Sequence, residues 1–213
     1  MTNRFVSVWN DLHKDFAKNN APKYDEWLEE FDEIISNVDT KIVDLGCGVT
    51  GNNTLYLLEK GKKVLSCDFA QEALNVVATI NGSETMLFDM LETFPFEDNY
   101  TDLVIADLSL HYFRDEDTQK IINEIKRILK PNGHLFFRLN SVNSTEYKKL
   151  IDKNEIQIEE NLFYSNNMEK RFFSRENIET YFTDWEIVCL REENMSRWCP
   201  DKIIWKGAVK NSK

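Results

Sequence analysis

One stretch limits what this chain can fold into more than any other: Lys41-Ile42-Val43-Asp44-Leu45-Gly46-Cys47-Gly48-Val49-Thr50-Gly51-Asn52-Asn53-Thr54. It holds three of the chain's seven glycines. An apolar run of β type, Ile42 to Leu45, leads straight into them, and a helical pattern with Leu55, Tyr56 and Leu58 on one face follows, ending at Gly61. The order is strand, glycine-rich turn, helix N-terminus. Such a turn lets a ligand approach bare backbone, and the first turn of the helix offers N–H groups without intrahelical partners. A second strand, Lys63-Val64-Leu65-Ser66-Cys67, ends on Asp68, 22 residues after Gly46. An acid at that place can accept from both hydroxyls of a ribose. These residues imply a cofactor that contains a nucleoside.

Two cofactors compete. Gly46, Gly48 and Gly51 spell the dinucleotide pattern GxGxxG, which taken alone suggests an NAD-dependent oxidoreductase. Asp44 argues against it. A carboxylate at the end of an otherwise apolar strand lies near the binding crevice, where it repels a pyrophosphate and attracts a cation such as an ammonium or a sulfonium.

Val43-Asp44-Leu45-Gly46-Cys47-Gly48 resembles motif I of the class I S-adenosylmethionine-dependent methyltransferases. Four more segments resemble that family's motifs in the right order: Ser66-Cys67-Asp68-Phe69-Ala70, Leu87-Phe88-Asp89-Met90, the approach Phe94 to Ala106, and Arg127 to Leu135. The resemblance covers about residues 40–140 well and the tail more loosely. It implies a fold, namely a single α/β Rossmann-like domain with a doubly wound, seven-stranded, mostly parallel sheet, a C-terminal antiparallel hairpin and an N-terminal helical lid. It also implies a division into a lid (1–38), a cofactor-binding core (40–140), a substrate-recognition insertion (140–173) and a C-terminal helix and hairpin (174–213). The implied cofactor is S-adenosyl-L-methionine, with S-adenosyl-L-homocysteine as product and no metal. Cofactor contacts are implied for Asp44, Gly46, Cys47, Gly48, Asp68, Phe69, Asp89, Met90, Asp107 and Leu108. Asp68 is expected on the ribose, Asp89 on the adenine amino group and Asp44 near the methionine ammonium. The family's turn is Gly-x-Gly-x-Gly; here Val49 reads as one extra residue. The relatives most alike in kind are small-molecule enzymes such as the tellurite-resistance type. The rival from another class is a non-catalytic cofactor-binding regulator, whose sign would be tight cofactor binding without turnover.

Composition narrows the partners. The chain has 213 residues, 42% hydrophobic and 30% charged, enough for one domain with a sizeable core. A net charge of −11 disfavours nucleic acid. No apolar run approaches the roughly 20 residues of a spanning helix, and the N-terminus lacks the layout of a signal peptide. Four cysteines, at 47, 67, 189 and 199, lack metal-ligand spacing. We therefore expect a cytoplasmic enzyme, a monomer or weak dimer with reduced thiols, acting on a small-molecule acceptor away from membranes.

Phe5, Val8, Trp9, Leu12 and Phe16 share one helical face, Pro22 suits a helix first turn, and Trp27 to Ile35 continue a second helix. Strands are expected at about 41–45, 62–67, 84–88, 102–107 and 134–139, with helices at 71–80 and 116–129. A helix at 175–182 and strands at 185–190 and 203–209 close the chain. The connection at about 140–173 reads as polar and irregular.

The acceptor site is expected where the strand at 102–107 ends, in Asp107-Leu108-Ser109-Leu110-His111-Tyr112-Phe113. His111 is the candidate general base or pocket contact, since a neutral imidazole titrates near working pH. His13 lies on an N-terminal helix and His134 starts a strand, so neither is expected in the site. Tyr112, Trp9 and Tyr24 are candidate pocket residues. Arg138 interrupts an apolar strand and Arg171 ends the insertion. The pair suits a carboxylate or phosphate acceptor, or else forms ion pairs with nearby acids.

Overall fold

The computed structural model describes residues 5–17, 24–195 and 202–212. Pro22, Cys199 and the first four residues lie outside them. The chain opens with α1 (Val6–Ala17), a 3₁₀ turn (Glu26–Phe31) and α2 (Asp32–Ser36). The core follows as β1 (Ile42–Leu45), α3 (Asn52–Glu59), β2 (Val64–Asp68), α4 (Gln71–Val77), β3 (Glu84–Leu87), β4 (Thr101–Asp107), α5 (Asp115–Ile128) and β5 (Leu129–Asn140). Then come α6 (Thr145–Asp152), β6 (Ile156–Glu159), β7 (Leu162–Ser165), β8 (Met168–Arg171), α7 (Arg175–Tyr181), β9 (Trp185–Asn194) and β10 (Ile203–Asn211).

Among the described residues seven strands form one sheet in the order β3-β2-β1-β4-β5-β10-β9. β1 to β5 run parallel, and β10 is antiparallel to both β5 and β9. This is the expected Rossmann-like sheet with a closing hairpin. Its central strands are buried on both sides, so their side chains feed two apolar layers alternately. Val43, Leu45, Val104, Ala106, Leu135 and Phe137 meet α5 on one face. Ile42, Leu103, Ile105 and Phe136 meet Tyr56, Leu57, Trp27 and Phe31 on the other. The α5 side explains itself: Thr118, Ile121, Ile122, Ile125 and Ile128 are buried at helical spacing. Strand order reverses between β1 and β4, and crevices that take ligands open at such a point, beyond the strand ends.

Several boundaries differ from the sequence reading. The 140–173 connection is not irregular; it holds α6 and a separate three-stranded antiparallel sheet, β6-β7-β8. Its turns use asparagines at positive φ, with Asn161 at 57°, Asn166 at 52° and Asn167 at 62°. An Asn-Asn pair in that conformation is the chemistry of a tight hairpin, here joining β7 to β8. The second N-terminal helix splits into the 3₁₀ turn and the short α2. In α3 the buried face is Tyr56 and Leu57, while Leu55 and Leu58 are only half-buried. β5 starts at Leu129 rather than 134, with a register shift against β4 that takes up the Pro131-Asn132-Gly133 turn. No described helix is long and apolar enough to cross a membrane.

Candidate functional site

A cavity of about 810 Å³ opens at the C-terminal ends of β1, β2 and β4 and is covered by α1. Its floor is the turn after β1. Gly46 (φ 69°), Gly48 (φ 59°) and Gly51 (φ 53°) all adopt the left-handed conformation, which a side chain would strain. At Gly46 there is also no room: a Cβ would lie 2.5 Å from Ser109 Cβ. The Gly46 and Cys47 amides donate to the Cys67 carbonyl at 2.8 and 3.0 Å, which fixes the turn to the end of β2. α3 starts at Asn52, so the turn absorbs Val49, which is buried against Ala70 and Ala73.

Asp68 is held by main chain. Its two oxygens accept from the Gly48 amide (3.0 Å) and the Ala70 amide (2.9 Å). Burial raises its pKa, opposed by the Ala70 amide, His13 and the Gly48 amide. Asp44 lies beneath the turn, 1% exposed. One oxygen accepts from Asn53 Nδ2 at 3.0 Å, and Asn53 in turn accepts from the Trp27 indole at 2.9 Å. The other, Oδ2, is buried without a hydrogen-bond partner. Burial pushes the Asp44 carboxyl up to about 7, with Asp107 and Asp68 adding to it against the Asn53 hydrogen bond. Asp89 accepts from the Leu91 amide at 3.0 Å and so shapes the turn that brings Met90 and Leu91 to the cavity wall.

The wall next to the glycine turn is charged, beginning at Asp107, which accepts from Asn52 Nδ2 at 3.3 Å. Arg138, 4% exposed, donates through Nε to Asp107 Oδ1 (2.6 Å) and through Nη2 to Asp107 Oδ2 (2.7 Å) and Asp25 Oδ2 (2.9 Å). Its guanidinium lies 4.7 Å from the centre of the Trp27 ring. Arg114 donates to Glu169 at 2.9 and 3.3 Å. An aromatic wall lines the same cavity: the Trp9 ring meets Tyr112 edge-on at 4.7 Å and Phe69 at 6.5 Å.

Of the residues singled out in the sequence, Gly46, Cys47, Gly48, Asp68, Phe69, Met90, Asp107 and Leu108 line this cavity, as do Trp9, Tyr24, Tyr112 and Arg138. Asp44 and Asp89 stand just behind the wall. Two candidates are corrected. His111 does not line the cavity: it is 2% exposed, its Nδ1 is buried without a partner, and its ring packs 4.2 Å from that of Tyr112. Burial, with Lys170 and Lys202 nearby, holds its pKa well below the ordinary value. Arg171 does not reach the cavity either. It donates to the carbonyls of Phe113 (3.3 Å) and Glu160 (3.1 Å) and pairs with Glu159, tying β8 to its neighbours. Arg138 takes the ion-pair alternative.

Sequence reasoning missed His13, Asp25, Asn53, Glu169 and Lys202. His13 lines the cavity beside Gly48, with a pKa lowered by burial against the pull of Asp68. Its spacing of four from Trp9, on one face of α1, was the available signal. Asp25, Glu169 and Lys202 carried no local signal.

Known proteins resemble this chain in sequence and in fold. Residues 43–137 match the family described as "Methyltransferase domain". An uncharacterized methyltransferase of Oceanobacillus iheyensis is 25% identical over 144 residues, 64% of this chain and 67% of that protein. One of Synechocystis sp. is 33% identical over 93 residues, 44% of this chain and 43% of that protein. One of Mycobacterium tuberculosis is 31% identical over 107 residues, 50% and 42% respectively. The matched part therefore spans less than half the length of the last two. Among solved structures, a SAM-dependent methyltransferase from Methanosarcina mazei superposes with a TM-score of 0.73 at 20% identity, covering 84% of this chain and 96% of its own. The Burkholderia thailandensis 1,6-didemethyltoxoflavin-N1-methyltransferase, solved with 1,6-didemethyltoxoflavin and S-adenosylhomocysteine, gives 0.68 at 15% identity, covering 98% and 86%. These two establish likeness of fold. Residues 43–137 thus match a methyltransferase domain, and the sheet order and glycine turn belong to the fold that these S-adenosylmethionine-dependent methyltransferase structures share.

Proposed function

We propose that this protein moves a methyl group from S-adenosylmethionine to an O, N or S nucleophile of a small-molecule acceptor and releases S-adenosylhomocysteine. The observation that carries the reading is Asp44 Oδ2, a buried carboxylate oxygen with no partner, beneath a turn whose Gly46 leaves no space for a side chain. A buried, unpaired acceptor is costly unless a ligand satisfies it. A cation-bearing ligand does so directly or through a water; a pyrophosphate would be repelled.

The residues fit the cofactor. Asp68, already oriented by two amides, retains lone pairs for ribose hydroxyls. Phe69 and Met90 supply apolar faces for the adenine, with Asp89 near its amino group. Gly46, Cys47, Gly48, Asp107 and Leu108 border the amino-acid portion. When bound, the cofactor supplies a sulfonium methyl already activated for displacement. The chain's part is then orientation and exclusion of water. Residues 1–38 act as a lid, with Trp9, His13 and Tyr24 on its inner side. The 140–173 segment recognises the acceptor, sending Met168 and Glu169 to the cavity. His111 fixes Tyr112 rather than taking a proton. The cavity volume lies within the range of about 300–1,000 Å³ typical of small-molecule sites.

Calorimetric titration tests this. S-adenosylhomocysteine should bind at one site per chain and raise the melting temperature by linkage, about 2.7 kcal/mol at a hundred times its Kd. NAD should do neither. Equal or tighter binding of NAD would overturn the reading. A screen of small acceptors with methyl-labelled cofactor then identifies the accepting atom.

A further inference from the structure

Among the described residues three arginine or lysine side chains line the cavity: Arg114, Arg138 and Lys202. Both arginines are committed, Arg138 to Asp107 and Asp25 and Arg114 to Glu169. Those pairs also occupy Asp25, Asp107 and Glu169, and the fourth carboxylate on this wall, Asp117, lies 3.9 Å from Lys120. Lys202 differs. It stands at the start of β10, where its carbonyl accepts from the Met195 amide at 2.8 Å. Among the described residues its ammonium makes no hydrogen bond or ion pair, although it faces the cavity. Lys170, close by, is engaged by Glu146 at 2.7 Å.

We propose that Lys202 is the specificity residue for the acceptor, and that the acceptor is a small molecule carrying a carboxylate or phosphate which this ammonium binds. The inference rests on the reading of the cavity as a methyl-transfer site and adds the class of substrate. A half-buried ammonium inside a cavity has lost part of its hydration without a protein partner to replace it, and an incoming anion supplies that partner. The surroundings agree. Burial, Lys170 and Arg138 lower the Lys202 pKa, against Glu146 and Asp107; an anion seated on the ammonium reverses that balance. The committed arginines explain why the anion goes to Lys202: displacing either from its carboxylate would leave a charge of the protein without its counterion. Tyr24, Tyr112 and Phe113 line the same cavity, so a flat body on the anion finds aromatic faces.

The test uses the full chain saturated with S-adenosylhomocysteine and three probes of similar shape: benzoate, phenyl phosphate and uncharged benzamide. Binding is read by calorimetry in wild type, Lys202→Met and Lys202→Arg. At least one anionic probe should bind wild type ten times or more tighter than benzamide. Lys202→Met should erase that preference while leaving benzamide unchanged, and Lys202→Arg should restore most of it. The stronger of benzoate and phenyl phosphate tells carboxylate from phosphate. Absence of any preference for the anions in wild type, or its survival in Lys202→Met, overturns the proposal. Failure of S-adenosylhomocysteine itself to bind wild type would instead overturn the methyltransferase-site reading, so the two failures are distinct.

Discussion

At the glycine-turn end of the cavity, polar groups meet partners that the local chain path delivers. Asp68 is held by the amides of Gly48 and Ala70, Asp89 by that of Leu91, and Asp44 by Asn53, nine residues on. At the charged end, Arg138 reaches Asp25 across 113 residues and Asp107 across 31, and Arg114 reaches Glu169 across 55. The partners at the first end lie at most 20 residues apart. The second exists only once the 3₁₀ turn, β4, β5 and the 140–173 segment have come together. That contrast teaches where stability and where specificity reside: local geometry fixes one end, and long-range ion pairs assemble the other.

The largest effect that would break this contrast lies in Arg138. Arg138→Met strips Asp107 of its buried counterion, and removing one partner of a buried pair costs about 3–5 kcal/mol. Urea unfolding should show a loss of that size. A change below about 1 kcal/mol would mean that the charged end does not hold itself together through this residue.

A second test belongs to the turn end. Asp68→Asn keeps the shape and one acceptor oxygen but removes the charge. S-adenosylhomocysteine should bind about 1.5–3 kcal/mol more weakly, the scale of hydrogen bonds to a charged group, with a smaller effect on unfolding than in Arg138→Met. Unaltered affinity in calorimetry would take Asp68 out of the cofactor site.

Asp44 sharpens the comparison through pH. Its folded pKa is raised to about 7, above the ordinary value near 4. As pH rises from about 4 to about 7, the unfolded chain releases this proton while the folded chain keeps it. The Asp44 contribution to stability therefore falls across that window and is level above it. Cofactor affinity moves the other way, because an ammonium favours ionised Asp44. Between pH 6 and 8 it should rise about tenfold, and Asp44→Asn should flatten the rise. A pH-independent affinity in wild type would contradict the role given to the orphan oxygen.

The smallest effect is expected at His111. It is buried, held neutral and off the cavity wall. Once an acceptor is known, His111→Ala should change its KM more than kcat, with kcat falling less than about tenfold and the pH profile keeping its shape. A pH-dependent collapse of kcat would restore it as a general base.

How much was legible follows from the same contrast. The parallel sheet and the turn end could be read because Ile42 to Gly51, Val64 to Asp68 and Leu87 to Met90 each place their chemistry within one short run. Arg138 stood out as a charge in an apolar strand, but no local pattern named Asp25 or Asp107 as partners. Arg171 and His111 looked functional from their positions, whereas packing turned both away from the cavity. Lys202 was invisible because its significance is that, among the described residues, Arg114 and Arg138 are engaged and it is not. The β6–β8 sheet was missed although Asn166-Asn167 marks its hairpin, because Ile156 (65% exposed) and Tyr164 (37%) leave its outer face without a clear alternation.

A crystal structure of the chain with S-adenosylhomocysteine tests the central claim most directly. The account predicts the ribose hydroxyls on Asp68, the adenine between Phe69 and Met90, and the amino group on the Asp44 side of Gly46. Lys202 and Glu169 should stay clear of the cofactor and face the space left for the acceptor. A nucleoside lying instead against Lys202 and Glu169, with Asp44 Oδ2 still without a partner, would contradict it.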